Sequence, residues 1–188
     1  LLDYVDVIIN FAKLKTHGMM GMSCASKNLF GAIPGTVKPE YHFRFPKYED
    51  FADMIVDLDE YFKPVLNIVD AVVGMEGNGP TAGTPRKIGA VLMSSNPFAS
   101  DIVGETLLGF AGTVPIVREG VARGLCPEDI SGIALIGDAV EPLKISDFKE
   151  PDSAQNRAPS LLTRFSSGKI GRFFMPRSTP IRPPMMVP

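Results

Sequence analysis

Cysteine and histidine are scarce, two of each in 188 residues. Cys24 and Cys126 stand far apart, and neither belongs to a C-x-x-C or C-x-x-H pair, so this chain's own thiols build no zinc or iron–sulfur framework. Reduced thiols in a cytoplasm are the expectation. The separations of His17, His42 and Cys24 match no standard transition-metal site, so no metal ligands are assigned. No apolar run reaches the roughly 18 residues of a membrane-spanning helix. A formal net charge of -2 gives no global reason to expect nucleic acid or an anionic membrane as partner. The phosphate-loop pattern G-x-x-x-x-G-K-[ST] is absent, and Gly77, Gly79 and Gly83 do not have the G-x-G-x-x-G spacing of a dinucleotide fingerprint. Any anion site is therefore local.

What is present suffices for one well-buried core: 188 residues, 45% of them hydrophobic, are too few to demand two. The expected division is an α/β domain over residues 1–150 and a linker or docking tail over 151–188, where Pro and Arg interleave. The sequence opens at Leu1 without methionine and enters a strand pattern almost at once, so it reads as part of a larger protein.

The chain is organised around residues 13–35, KLKTHGMMGMSCASKNLFGAIPG, which follow a β-branched run over residues 4–11. Lys13, Lys15, His17, Lys27 and Asn28 gather there among glycines. Three ammonium groups and an imidazole where a buried strand ends do not serve a core, because unpaired buried charge costs several kcal/mol or shifts its pKa. In open α/β sheets, ligands bind beyond the carboxyl ends of strands. A short helix is expected over 23–29, and residues 36–47 read as an irregular segment over the site. The spacing of Phe51, Ile55, Leu58 and Phe62 predicts a helix over Tyr48–Phe62.

Residues 67–75 and 88–94 read as further strands, joined by a glycine-rich loop over 74–86 that presents Glu76 and Asn78. Ser95-Asn96-Pro97 predicts a helix start with Asn96 as cap. That helix carries Asp101 and Glu105 one turn apart. Another helix is expected over 114–123 and a fourth strand over 133–137. Strands alternating with helices predict a mainly parallel sheet with helices on its faces.

Lys13, Lys15, Lys27 and Asn28, with Gly77, Asn78 and Gly79 from the second segment, are the candidate ligand-binding residues for an anionic small molecule. The bland alternatives are a solvated basic turn and a structural loop. His17 and Glu76 are the candidates for moving protons, with Asp70 as a second acid or a structurally paired one.

KLKTH, KNLFGAIPG, DAVVGMEGNGPTAGTPR and NPFASD, in that order, resemble the domain of unknown function 362 family over residues 1–138. The family pattern falls on Lys13, Lys15, Thr16, His17, Lys27, Asn28, Gly31, Asp70, Glu76, Gly77, Asn78, Gly79, Pro80 and Asp101. Many members are fused to a ferredoxin-type domain with two [4Fe-4S] clusters, so the resemblance implies such a module as neighbour or partner and redox chemistry coupled to it. This chain has no cysteine-rich motif to hold the clusters, and the resemblance names no organic cofactor. Two rivals stand beside this reading: a noncatalytic ferredoxin-docking domain, and a metal-dependent hydrolase or phosphoryl-transfer enzyme using Asp70, Glu76 and Asp101. Substrate and oligomeric state are not legible in the sequence.

Overall fold

Strand β1 (Ile9–His17) turns Ala12, Leu14 and Thr16 inward and Ile9, Phe11 and Lys13 outward, the two-residue period of a strand with one buried face. The lysines expected in a turn are thus on the strand itself. A computed structural model describes residues 5–153. The expected tail over 151–188 lies, from residue 154 on, outside the described residues.

β1 turns back antiparallel into β2 (Gly21–Ser23) and pairs in parallel with β3 (Leu66–Asn78), which pairs antiparallel with β4 (Ala82–Ser94). The sheet order is β2-β1-β3-β4. The sheet is therefore mixed, correcting the mainly parallel expectation. The cause lies in residues 74–86, read as a loop from their glycines and prolines but forming a hairpin in which Met75 faces Pro85 and Gly77 faces Gly83. A direct hairpin connection enforces antiparallel pairing, whereas parallel pairing needs a crossover. Residues 133–137 form no strand. They line one side of a cleft of about 410 Å³ whose other side is β4, and Ile136 is fully exposed.

Among the described residues five α-helices accompany the sheet: α1 (Ala25–Asn28), α2 (Lys38–Arg44), α3 (Tyr48–Phe62), α4 (Pro97–Leu108) and α5 (Pro115–Ala122). A 3-10 turn (Leu29–Ala32) extends α1. α3 has the bounds its periodicity predicts, and Asn96 caps α4, its Oδ1 accepting from Phe98 N at 2.9 Å and Ala99 N at 3.2 Å. α2 was expected to be irregular; its proline sits in the first turn, where the missing N–H breaks no helical bond.

Ala12, Leu14, Val69, Ala71 and Ile88 on the inner sheet face pack with Ile102 and Leu108 of α4. A second cluster joins Phe51 and Ile55 of α3 to Phe30, Phe98 and Ile116. Arg123 ties α3 to α5, bonding Asp57 at 2.8 Å, Glu60 at 2.7 Å and Glu119 at 3.0 Å, with Asp53 as a fourth partner. The opposite sheet face leaves Ile9, Phe11, Val91 and Met93 each more than half exposed. Among the described residues the helices cover one face, not both. No described helix is long and apolar enough to cross a membrane.

Two polar devices hold α1 against this frame. Buried Asp101 of α4 accepts from Ala25 N at 2.7 Å, from Ser26 N at 3.3 Å and from the Ser26 hydroxyl. An amide relay then runs from Asn28 to Asn10 at 2.7 Å, Asn10 to Asn67 at 2.9 Å and Asn67 to Ser94 O at 3.2 Å, crossing β1, β3 and β4. Asp101→Ala strands three donors, and is expected to lower unfolding free energy by about 2–4 kcal/mol in urea titration, since each buried unsatisfied group costs roughly 1–3 kcal/mol. A loss below about 0.5 kcal/mol, the range of an ordinary surface substitution, would show that the carboxylate does not anchor α1.

Candidate anion-binding pocket

The strand period fixes the spacing of the cationic side chains. Lys13, Lys15 and His17 alternate along β1 with the buried Leu14 and Thr16, so all three share the side of the sheet opposite the core. Lys27 and Asn28 come from α1, held in place by Asp101 and the amide relay. Lys38 comes from α2. Together they line a cavity of about 250 Å³ with Phe30 and with Pro80 of the β3–β4 turn. Among the described residues, no carboxylate is on its wall.

The lysines differ in their partners. Lys13 Nζ is 2.7 Å from Asp70 Oδ2, and this bond, with the Val72 N–H, holds the Asp70 carboxyl below the usual range. Lys15, Lys27 and Lys38 have no ion pair among the described residues. Lys27 and Lys38 both lie over the Phe30 ring, 5.5 and 5.9 Å from its centroid. Burial, followed by repulsion from Lys15 and Lys38, lowers the Lys27 pKa to about 8. His17 Nδ1 accepts from Met19 N and Met20 N, each at 3.2 Å, which places the neutral ring's proton on Nε2. Cys24 also lines the cavity, but its thiol turns to Ser100 O at 3.8 Å, and burial pushes its pKa well up.

The other candidate residues lie apart. Glu76 is buried, accepting from Lys149 N at 3.2 Å with Arg86 at 3.8 Å. Gly77 N donates to Lys149 O at 2.8 Å, and Asn78 exchanges two hydrogen bonds with Asp152, at 2.7 and 2.9 Å. These three residues fasten the strap of residues 147–153 to the hairpin. Gly79 reaches the site end of β1: its carbonyl accepts from Gly18 N at 3.2 Å, and a Cβ there would lie 2.1 Å from Thr16 O. Only glycine fits that approach. Asp101 and Glu105 are buried behind α1 and absent from the cavity wall. No cluster of three or more potential metal-ligating His, Cys, Asp or Glu exists among the described residues.

Lys38, Phe30 and Ser23 line the cavity without having been singled out in the sequence, while Pro80, on which the family pattern falls, is on its wall. Lys38 was the most accessible to reasoning, since it lies in the segment expected over the site. Phe30 looked like core, and its role as a floor under two ammonium groups depends on the turn that follows α1.

A mixed-sheet α/β domain with a cationic pocket beside its first strand is the class these features define. The chain belongs to the family described as Domain of unknown function (DUF362), whose model matches residues 1–106. It is 37% identical over 124 residues to the thylakoid-associated protein sll1697 of Synechocystis; the match takes in 65% of this chain and 39% of that relative. No solved structure matches.

Glu76→Ala is expected to lower stability by about 1–3 kcal/mol by stranding the Lys149 N–H. It should also speed limited proteolysis within 147–153. A Glu76→Ala variant with unchanged stability and unchanged proteolysis would show that this carboxylate does not hold the strap.

Proposed function

We propose that this domain binds a small polyanionic organic molecule in the pocket formed by β1, α1 and α2. The observation that carries the reading is a cavity lined by four lysines and a histidine, with no carboxylate on its wall among the described residues and one lysine paired with Asp70. Three remaining ammonium groups match a ligand bearing two or three negative charges. Lys15 and Lys38 supply point charges, Asn28 supplies an amide at the rim, and His17 adds an imidazole to the wall. The ferredoxin-type module implied by the family resemblance would act as electron donor to the bound molecule.

The test is calorimetric titration with citrate and with inorganic pyrophosphate. Lys15→Ala and Lys38→Ala are each expected to weaken binding about 10- to 100-fold, the equivalent of one charge-assisted hydrogen bond at roughly 1.5–3 kcal/mol. Lys27 is charged below its pKa of about 8 and neutral above it. Anion affinity should therefore fall as pH rises through 8, with a proton taken up on binding near that pH. The groups around it are Lys13, Lys15 and His17 of β1, Cys24, and Lys38 and His42 of α2. His42, lowered by burial and by Lys27, is already neutral there. Equal affinities in wild type and both variants would remove the reading and leave the docking one.

A further inference from the structure

Lys27 differs from every other lysine of the described residues in the surroundings its amine meets. It projects from a helix fixed from behind by Asp101, lies half-buried over Phe30, and has no carboxylate partner. Lys38 approaches the same ring from α2, and Lys15 adds a second positive charge from β1. Removing a proton from Lys27 relieves like-charge repulsion and desolvation together, the two conditions that turn a lysine into a nucleophile.

We propose that Lys27 forms an imine with a small anionic oxo compound whose negative groups are held by Lys15 and Lys38. This rests on the anion-binding reading above and adds the reacting group. The neutral ε-amine adds to the carbonyl carbon, opening the C=O π bond to a carbinolamine. The C–O bond then breaks, and both amine protons leave with the oxygen as water, giving C=N without any oxidant or reductant. The imine, once protonated by solvent, withdraws electrons from the adjacent carbon. The class of ligand is therefore a carbonyl compound with at least two negative charges, as a dicarboxylic 2-oxo acid or a phosphorylated ketone supplies.

With a pKa of about 8, roughly half of Lys27 is neutral at pH 8, against less than about 1% of an ordinary lysine. The full chain is incubated at pH 8 with 2-oxoglutarate or dihydroxyacetone phosphate and sodium cyanoborohydride, and adducts are located by intact mass and peptide mapping. One reduced adduct on Lys27 is expected, formed at least about tenfold faster than on the mean of the other lysines. Lys27→Arg, which keeps the charge but forms no imine, should abolish that adduct. Citrate should bind the wild type in calorimetry and slow its trapping. Faster labelling by one of the two probes tells the carboxylate source of the negative charge from the phosphate source. Adducts scattered over surface lysines, or unchanged in Lys27→Arg, would overturn the imine. If citrate still binds in that case, the anion site survives without it; if citrate does not bind either, both fall.

Discussion

The Asp101 carboxylate beneath α1 is the contact on which the site depends. α1 is four residues long, far too short to persist alone, because helix nucleation is unfavourable below about a dozen residues. Its first N–H groups instead meet a buried acceptor from α4, and its last residue feeds the amide relay into the sheet. Ionised Asp101 is costly to bury: desolvation raises its pKa to about 6 even though Ser26, Cys24 and two N–H groups oppose the rise. At neutral pH it remains mostly charged, and the donors around it are what make that state tolerable. The rigid placement of Lys27 and Asn28 follows from this contact.

Charge is also sorted by depth. Asp59, Asp101 and Glu105 are buried among the helices, and desolvation drives all three carboxyls upward, Glu105 to about 7. For such groups the folded state holds a proton that the unfolded chain has released. Their contribution to stability therefore shrinks as pH rises from about 4 through the folded pKa values. The cations sit in front of α1, around the pocket. The Lys27 amine is displaced by burial, Lys15 and Lys38, not by any acid. The carboxylates behind the helix do not neutralise the lysines before it.

Helices were the most legible elements because their signals are local. α3 follows from the spacing of Phe51, Ile55, Leu58 and Phe62, and the start of α4 from Asn96 and Pro97. The hairpin escaped because glycine and proline between residues 74 and 86 mark turns in an isolated segment, whereas here cross-strand pairing overrides them. Residues 133–137 carried the apolar run of a strand, but a strand also needs a hydrogen-bonded neighbour, and pattern alone does not supply one. The cluster Lys13, Lys15, His17, Lys27 and Asn28 was legible because ammonium groups, an imidazole and an amide gathered at a strand end have no use in a core. The engagement of Glu76 and Asn78 by residues 149 and 152, more than 70 positions away, left no local trace.

Strand alternation joins the pocket to the uncovered side of the sheet. Ile9 and Phe11 precede Lys13 and Lys15 at the same two-residue period, so the surface that is apolar at the start of β1 becomes cationic toward its end. One strand thus carries both an apolar face and a cationic edge, with the Lys13–Asp70 pair at the boundary between them. A layer laid on Ile9, Phe11, Val91 and Met93 would lower the dielectric beside Lys13 and Lys15 without touching α1. Since charge–charge interactions strengthen as water is excluded, covering that face would tighten the grip on an anion and depress the Lys27 amine further.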